Sequence, residues 1–333
     1  IMTIKDLLLL LKPGSGCDYH RLVLPLGYAG YDFNNGVGLT TEKLQGFKAV
    51  VFNRVPLNVK PETLKDLRAQ YGHKIWIDID DYWVLPEFHY LKKGWAKSDV
   101  TGRIMQFIKM ADIVTCTTDR LSSKIKDLND KVSVIPNSLP FIEHSQFTFT
   151  RQPADYVRFG FVGGASHLRD VRQLIPVFQQ YSQLPFKFCG YSERNGEAVK
   201  MADVFSNNGR NKNYTQVNMQ PLDHYLYGYD DIDVCIAPLE DIEFNKYKSN
   251  LKVLEAGLKK CAIICSPNPC YTDTVPDNIA TYAKSIKDWK EAFKKHMDKD
   301  YVKEQGEKVY EWVKQNYNLP EVNEARLKLI ENL

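Results

Sequence analysis

The 333 residues include 44% hydrophobic and 26% charged side chains, an ordinary globular balance with enough chain for two domains. A net charge of +3 is too small to argue for nucleic-acid or membrane binding by itself. The Leu7–Leu11 run is too short to span a bilayer and has no small-residue cleavage site after it, so no integral membrane segment is expected.

Strand-like and helix-like runs alternate along the chain. Strands are predicted at 4–11, 47–53, 74–79, 112–117 and 132–135, with helices at 18–26, 61–71, 100–110 and 120–128 between them. Thr118 and Asp119 are placed to cap the last of these helices. Residues 141–155 are polar, contain Pro153 and lack a helical period; they read as a linker. A second series follows, with strands at 157–162, 186–189, 215–219, 233–237 and 262–265. Its helices are predicted at 169–181, 197–206, 222–227 and 246–259. Residues 286–333 are helical in pattern, divided by Pro320. Apolar strands separated by helices predict two doubly wound, Rossmann-like α/β domains in series, facing a central cleft lined by strand carboxyl ends.

Seven cysteines, an odd number without a CxxC pair, predict reduced thiols and a cytoplasmic protein. The spacing of Cys261, Cys265 and Cys270 does not fit paired zinc ligands, and no metal is expected.

Several turns carry chemistry. The first βα turn holds Gly14 and Gly16, which let a ligand approach the backbone, followed by His20 and Arg21 on the new helix. It is neither a GxGxxG fingerprint nor a P-loop. Arg21 reads as a phosphate or acceptor contact, or as an exposed helix residue. After the third strand come Asp80 and Asp81. Two carboxylates there can orient sugar hydroxyls, take a proton from an acceptor, cap the next turn or hold a divalent cation. Tyr82, Trp83, Phe88, His89, Tyr90 and Trp95 crowd one loop, as rings that stack on a sugar or base or as packing beneath the loop.

The second domain opens with a strand followed by Gly163, Gly164, Ser166 and His167, mirroring the first turn; Arg194, after the next strand, is a further phosphate candidate. On one continuous helix Lys248, Lys252 and Glu255 would share a face. Cations and a carboxylate near a helix start, just past a strand, suit a sugar nucleotide: lysines and N–H groups for the diphosphate, the carboxylate for ribose hydroxyls. The alternative is a solvated charged face. The absence of GxSxG and HExxH disfavours serine or metal-water hydrolysis.

Four places resemble the retaining glycosyltransferases of family four, on the GT-B fold. They are Ala111–Thr118 with Val132–Ser138, then Phe159–Gly164, then Asp233–Leu239 with Lys248–Glu255, and the helical tail. The resemblance implies an acceptor-side domain over 1–150, a donor-nucleotide domain over 151–310, and a terminal helix over 311–333 packing back on the first. It implies a donor site of Gly14, Gly16, Gly163, Gly164, Ser166, Arg194, Lys248, Ser249, Asn250, Leu251, Lys252 and Glu255, with Glu255 matching the family's ribose-holding glutamate. The family's first glutamate falls at Tyr247, a departure. Asp80, Asp81 and His167 are the catalytic candidates; His20, Arg21, Tyr82, Trp83 and His89 are the acceptor-binding ones. The implied reaction moves a sugar from a nucleoside-diphosphate sugar, the only co-substrate, to an acceptor hydroxyl, with retention and without a metal or other cofactor. Carbohydrate, lipid-linked and modified-DNA acceptors stay open, the last as in some viral enzymes, and so does a GT-B sugar-nucleotide epimerase.

Overall fold

A computed structural model of the chain describes residues 6–33 and 47–333. The first predicted strand therefore starts outside the described residues. The chain separates into two compact units. The first comprises Ile1–Ser138, Tyr247–Ser249 and Leu319–Leu333; the second comprises Leu139–Lys246 and Asn250–Asn318. Residues 139–150, read from the sequence as the end of the first domain, thus group with the second unit, as do 311–318.

The first unit is a parallel sheet in the order β1 (Leu7–Leu9), β2 (Ala49–Asn53), β3 (Lys74–Ile79), β4 (Ile113–Cys116), β5 (Val132–Val134). Its helices are α1 (Gly16–Asp18), α2 (Leu24–Tyr28), α3 (Pro61–Tyr71), α4 (Lys92–Lys97), α5 (Val100–Met110) and α6 (Asp119–Lys126). A wide π-helical turn, Tyr19–Val23, joins α1 to α2. Successive strand residues point to opposite faces, and both faces are apolar. Leu8, Val50, Phe52, Ile75 and Ile77 pack with Leu64, Phe107 and Ile125 of α3, α5 and α6. Leu7, Leu9, Ala49, Val51 and Trp76 pack with Leu22, Leu26 and Ile330. Thr118 caps α6, its hydroxyl accepting from the Leu121 N–H at 3.2 Å.

The second unit is a parallel sheet whose strands are β6 (Phe159–Val162), β7 (Phe186–Tyr191), β8 (Tyr214–Asn218), β9 (Val234–Ala237), β10 (Ala262–Cys265) and β11 (Thr281–Tyr282), in the order β11-β10-β9-β6-β7-β8. Its helices are α7 (Leu168–Arg172), α8 (Ile175–Gln180), α9 (Gly196–Phe205), α10 (Glu243–Lys246), α11 (Leu251–Leu258), α12 (Pro269–Thr272), α13 (Ile286–Lys295) and α14 (Lys299–Asn316). The chain winds outward from β6 through β7 to β8, then restarts at β9 on the other side. The crevice beyond the carboxyl ends of β6 and β9 is the topological switch point, where open α/β sheets take ligands.

The sequence expects one helix over 246–259. Two form instead, because 247–250 leave the helical path and α11 starts at Leu251. The predicted 169–181 helix breaks between Arg172 and Ile175, where α8 starts with Pro176 in its first turn. Helix α11 lies against α14 at very short range: a methyl on Gly257 would stand 2.5 Å from Val313, and one on Gly306 would overlap the Lys260 carbonyl. The last helix, α15 (Leu319–Glu331), has Pro320 in its first turn and sets Ile330 on the first sheet.

Candidate functional site

In the second unit, β6 ends at Val162 and Gly163–Gly164 turn into a 3₁₀ segment, Ala165–His167, ahead of α7. Lys252, in the first turn of α11, donates to the Val162 carbonyl and lies 3.7 Å from Glu255. Gly163 leaves room for it, since a β-carbon there would come within 3.1 Å of the Lys252 Nζ. Glu255 is only 3% exposed. Its Oε1 accepts from Tyr225 at 2.9 Å and its Oε2 from Tyr229 at 2.6 Å. Burial, then the charge of Glu255, pushes the Tyr229 phenol well above its usual pKa, so it is a fixed donor. Nothing in the local sequence marks these tyrosines as site residues. They sit four apart on a 3₁₀ segment, Tyr225–Tyr229, where a helix over 222–227 was expected.

Two further contacts join the β6 and β9 turns. Asp170 is 5% exposed; its Oδ1 accepts from the Glu240 N–H at 2.8 Å and from Asn245 at 3.2 Å, while its Oδ2 meets His167 Nδ1 at 2.8 Å. Arg169 grips Glu240 with both arms, at 2.9 and 2.6 Å. Asp170 thereby fixes the ring of His167 at the edge of the switch point. Ser166 is exposed beside it, and Arg194 is exposed in the turn after β7.

The expected face of Lys248, Lys252 and Glu255 does not form. Lys248 precedes α11 and groups with the first unit, where it pairs with Asp81 at 3.3 Å. Ser249 also groups there and accepts from Asn137 at 2.8 Å. Asn250 is buried and its amide holds Thr274 at 3.0 Å, leaving Leu251 as the first helical residue. A proline or a cap did not foretell this break; the lysine spacing hid it.

In the first unit, Gly14 adopts φ +69° in the turn after β1, and Gly16 opens α1 behind the capping Ser15. Arg21 corrects its sequence reading. It is 1% exposed and makes two 2.9 Å bonds to Asp78, with a third to the Ile135 carbonyl at 2.8 Å. Thr115 and Asn53 also donate to Asp78. A guanidinium bound this way has no arm left for an acceptor. Asp80 is corrected as a base too. Burial would raise its carboxyl, but Arg54 at 2.8 Å, with hydrogen bonds from Cys17 and Asn53, holds it well below the usual carboxylate range. A base that weak accepts a proton poorly at neutral pH. Burial, then Asp80, pushes the neighbouring Cys17 thiol up to about 12, so it is no nucleophile.

Trp83 is 4% exposed within the first core, a packing residue rather than an acceptor platform. Tyr82 lies 4.7 Å from the Tyr247 ring. His20 abuts Tyr19 at 5.2 Å, edge to face, and His89 stacks on Tyr90 at 4.9 Å. Asp81 has Oδ2 on Lys248 and Oδ1 buried with no hydrogen-bond partner. Among the described residues no three His, Cys, Asp or Glu side chains converge as metal ligands, and no helix is long and apolar enough to cross a membrane.

No protein-family model and no curated protein sequence matches the chain. Solved structures do. HepE of Anabaena, solved with UDP and glucose, superposes with a TM-score of 0.72 over 98% of this chain and 100% of its own, at 9% identity. Sucrose-phosphate synthase of Thermosynechococcus elongatus gives 0.65 over 86% of this chain and 74% of its own, at 14% identity. A glycosyltransferase of Rickettsia africae gives 0.61 over 98% and 97%, at 11% identity. The fold is therefore GT-B, built of two Rossmann-like units.

Proposed function

We propose that the chain is a glycosyltransferase that moves a sugar from a nucleoside-diphosphate sugar to an acceptor hydroxyl, with retention and without a metal. The observation that carries this reading is the Lys252–Glu255 pair of α11, set beside Gly163 at the switch point of the second sheet. A buried carboxylate there suits ribose hydroxyls, and an ammonium at the end of β6 suits a diphosphate. The GT-B fold, shared with a HepE structure that holds UDP-glucose, supports the same assignment.

Lys252, the first N–H groups of α11 and the turn at Gly163–Gly164 would stabilise charge growing on the departing diphosphate. The bond from the sugar's anomeric carbon to phosphate oxygen breaks, the bond to the acceptor oxygen forms on the same face, and the acceptor proton passes to the leaving phosphate. Asp80, held ionised by Arg54, is better suited to orienting sugar hydroxyls than to taking that proton. His167, fixed by Asp170, is the candidate contact to the sugar. The acceptor is proposed to be a carbohydrate or lipid-linked, and the seven free thiols fit a reducing cytoplasm.

A thermal-shift panel of nucleoside diphosphates and their sugars tests the donor site. The expected result is a rise in melting temperature with at least one diphosphate, most of it lost in Glu255→Ala. No shift with any diphosphate would sink the reading. Donor turnover without acceptor would replace transfer by epimerisation or hydrolysis, and product NMR showing inversion would remove the retaining mechanism.

A further inference from the structure

Thirteen large apolar side chains are exposed among the described residues, and four of them fall within residues 84–91. Val84 is 41% exposed, Phe88 46%, Tyr90 56% and Leu91 41%. Scattered exposed apolar residues are ordinary, but a cluster of this density marks a contact surface. The charges around it lean positive. Glu87 is paired with Lys92 at 2.9 Å, which also donates to the Leu85 carbonyl at 3.0 Å. Lys93 and Lys97, both exposed on α4, outnumber Asp99, the exposed acid that follows them at the start of α5. Burial, reinforced by Lys248, lowers the pKa of His89 against the pull of Asp81, so the ring stacked on Tyr90 is neutral at neutral pH.

We infer that residues 84–97 form a docking surface for an anionic lipid bilayer. The exposed apolar side chains enter the boundary between headgroups and acyl chains, and Lys93 and Lys97 meet lipid phosphates. Single-stranded nucleic acid would also meet lysines and rings, but Val84 and Leu91 offer no ring face on which a base can stack. Burying aliphatic surface favours lipid. As a statement about the acceptor, one borne on a membrane surface, this rests on the proposed transferase reading; as a statement about binding it does not.

The full chain is sedimented with vesicles of phosphatidylcholine containing about one-third phosphatidylglycerol, and with phosphatidylcholine alone. Binding is expected on the mixed vesicles and much less on the neutral ones. The double variant Tyr90→Ser/Leu91→Ser should lower the bound fraction about fivefold. Lys93→Glu/Lys97→Glu should lower it about tenfold and remove the preference for phosphatidylglycerol. Ile142→Ser/Met219→Ser, exposed elsewhere, should leave it unchanged. Unaltered melting temperatures establish that the variants fold, and the diphosphate shift, measured separately, keeps failure here distinct from failure of the donor site. The inference is overturned if the wild-type chain does not sediment with mixed vesicles, or if neither 84–97 variant weakens binding. It is equally overturned if the chain binds a single-stranded oligonucleotide through these residues and ignores vesicles.

Discussion

At the carboxyl edge of the first sheet, charges meet opposite charges: Arg21 faces Asp78, Arg54 faces Asp80 and Lys248 faces Asp81. At the corresponding edge of the second sheet, Glu255 accepts from two phenols, and Lys252 stands 3.7 Å from it. Both edges arise from the same architecture of parallel strands and βα turns. The first spends its polar groups on holding strands, turn and α1 together, which makes it a frame. The second keeps a carboxylate that accepts from two hydroxyls, the kind of group that a ribose also offers.

The largest test of that contrast is Arg21→Met. It strands a buried Asp78 and should cost about 3–5 kcal/mol, read from urea or thermal unfolding. A loss below about 1 kcal/mol would mean that the first edge is not a frame.

Acidification should separate the units next. His296 is fully buried; its Nδ1 contacts the Ala292 carbonyl at 2.8 Å, and burial lowers its pKa from 6.5 to about 4. The unfolded chain takes up this proton as pH falls through 6.5, and the folded chain does so only near 4. The second unit therefore has its full stability above pH 6.5 and loses up to about 3 kcal/mol on the way down. Asp80, depressed below 3.8, keeps its contribution until the pH falls past that value. Hydrogen exchange between pH 7 and about 5 should weaken protection in β10 before β3, and His296→Gln should flatten the difference. Earlier loss in β3 would reverse the comparison.

Glu255→Ala should weaken diphosphate binding by about tenfold or more, since hydrogen bonds to a charged group are at stake. Calorimetric titration reads it directly. Smallest is Tyr225→Phe. If the Tyr225 hydroxyl holds the place of a ribose hydroxyl on Oε1, removing it should tighten nucleotide binding by about threefold. Weaker binding would mean that Tyr225 contacts the ligand or that its hydroxyl positions Glu255.

The sheets were legible in the sequence because fully buried parallel strands are continuous apolar runs, as in Ala49–Asn53 and Ala262–Cys265. The short edge strand β11, two residues long, left no such run. That Lys252 and Glu255 stand together followed from their spacing on one helix; their place beside the β6 turn, 90 positions from Val162, was implied only by the family resemblance. What did not follow were contacts between distant residues. Arg21 looks like a surface helix residue until Asp78, 57 positions later, is folded against it. Tyr225 and Tyr229 reach Glu255 across 30 and 26 positions, and only their four-residue spacing hinted at a shared direction. Lys248 misled because a periodic lysine pattern continues through a backbone break that side chains alone do not announce.

The glycines at 257 and 306 have a mechanical consequence. Gly257 seats α11 directly on the Val309 and Val313 side chains, and Gly306 seats α14 on the Lys260 carbonyl just past α11, so the wall bearing Lys252 and Glu255 behaves as an anvil. A nucleotide bound there as proposed would meet a wall that cannot retreat.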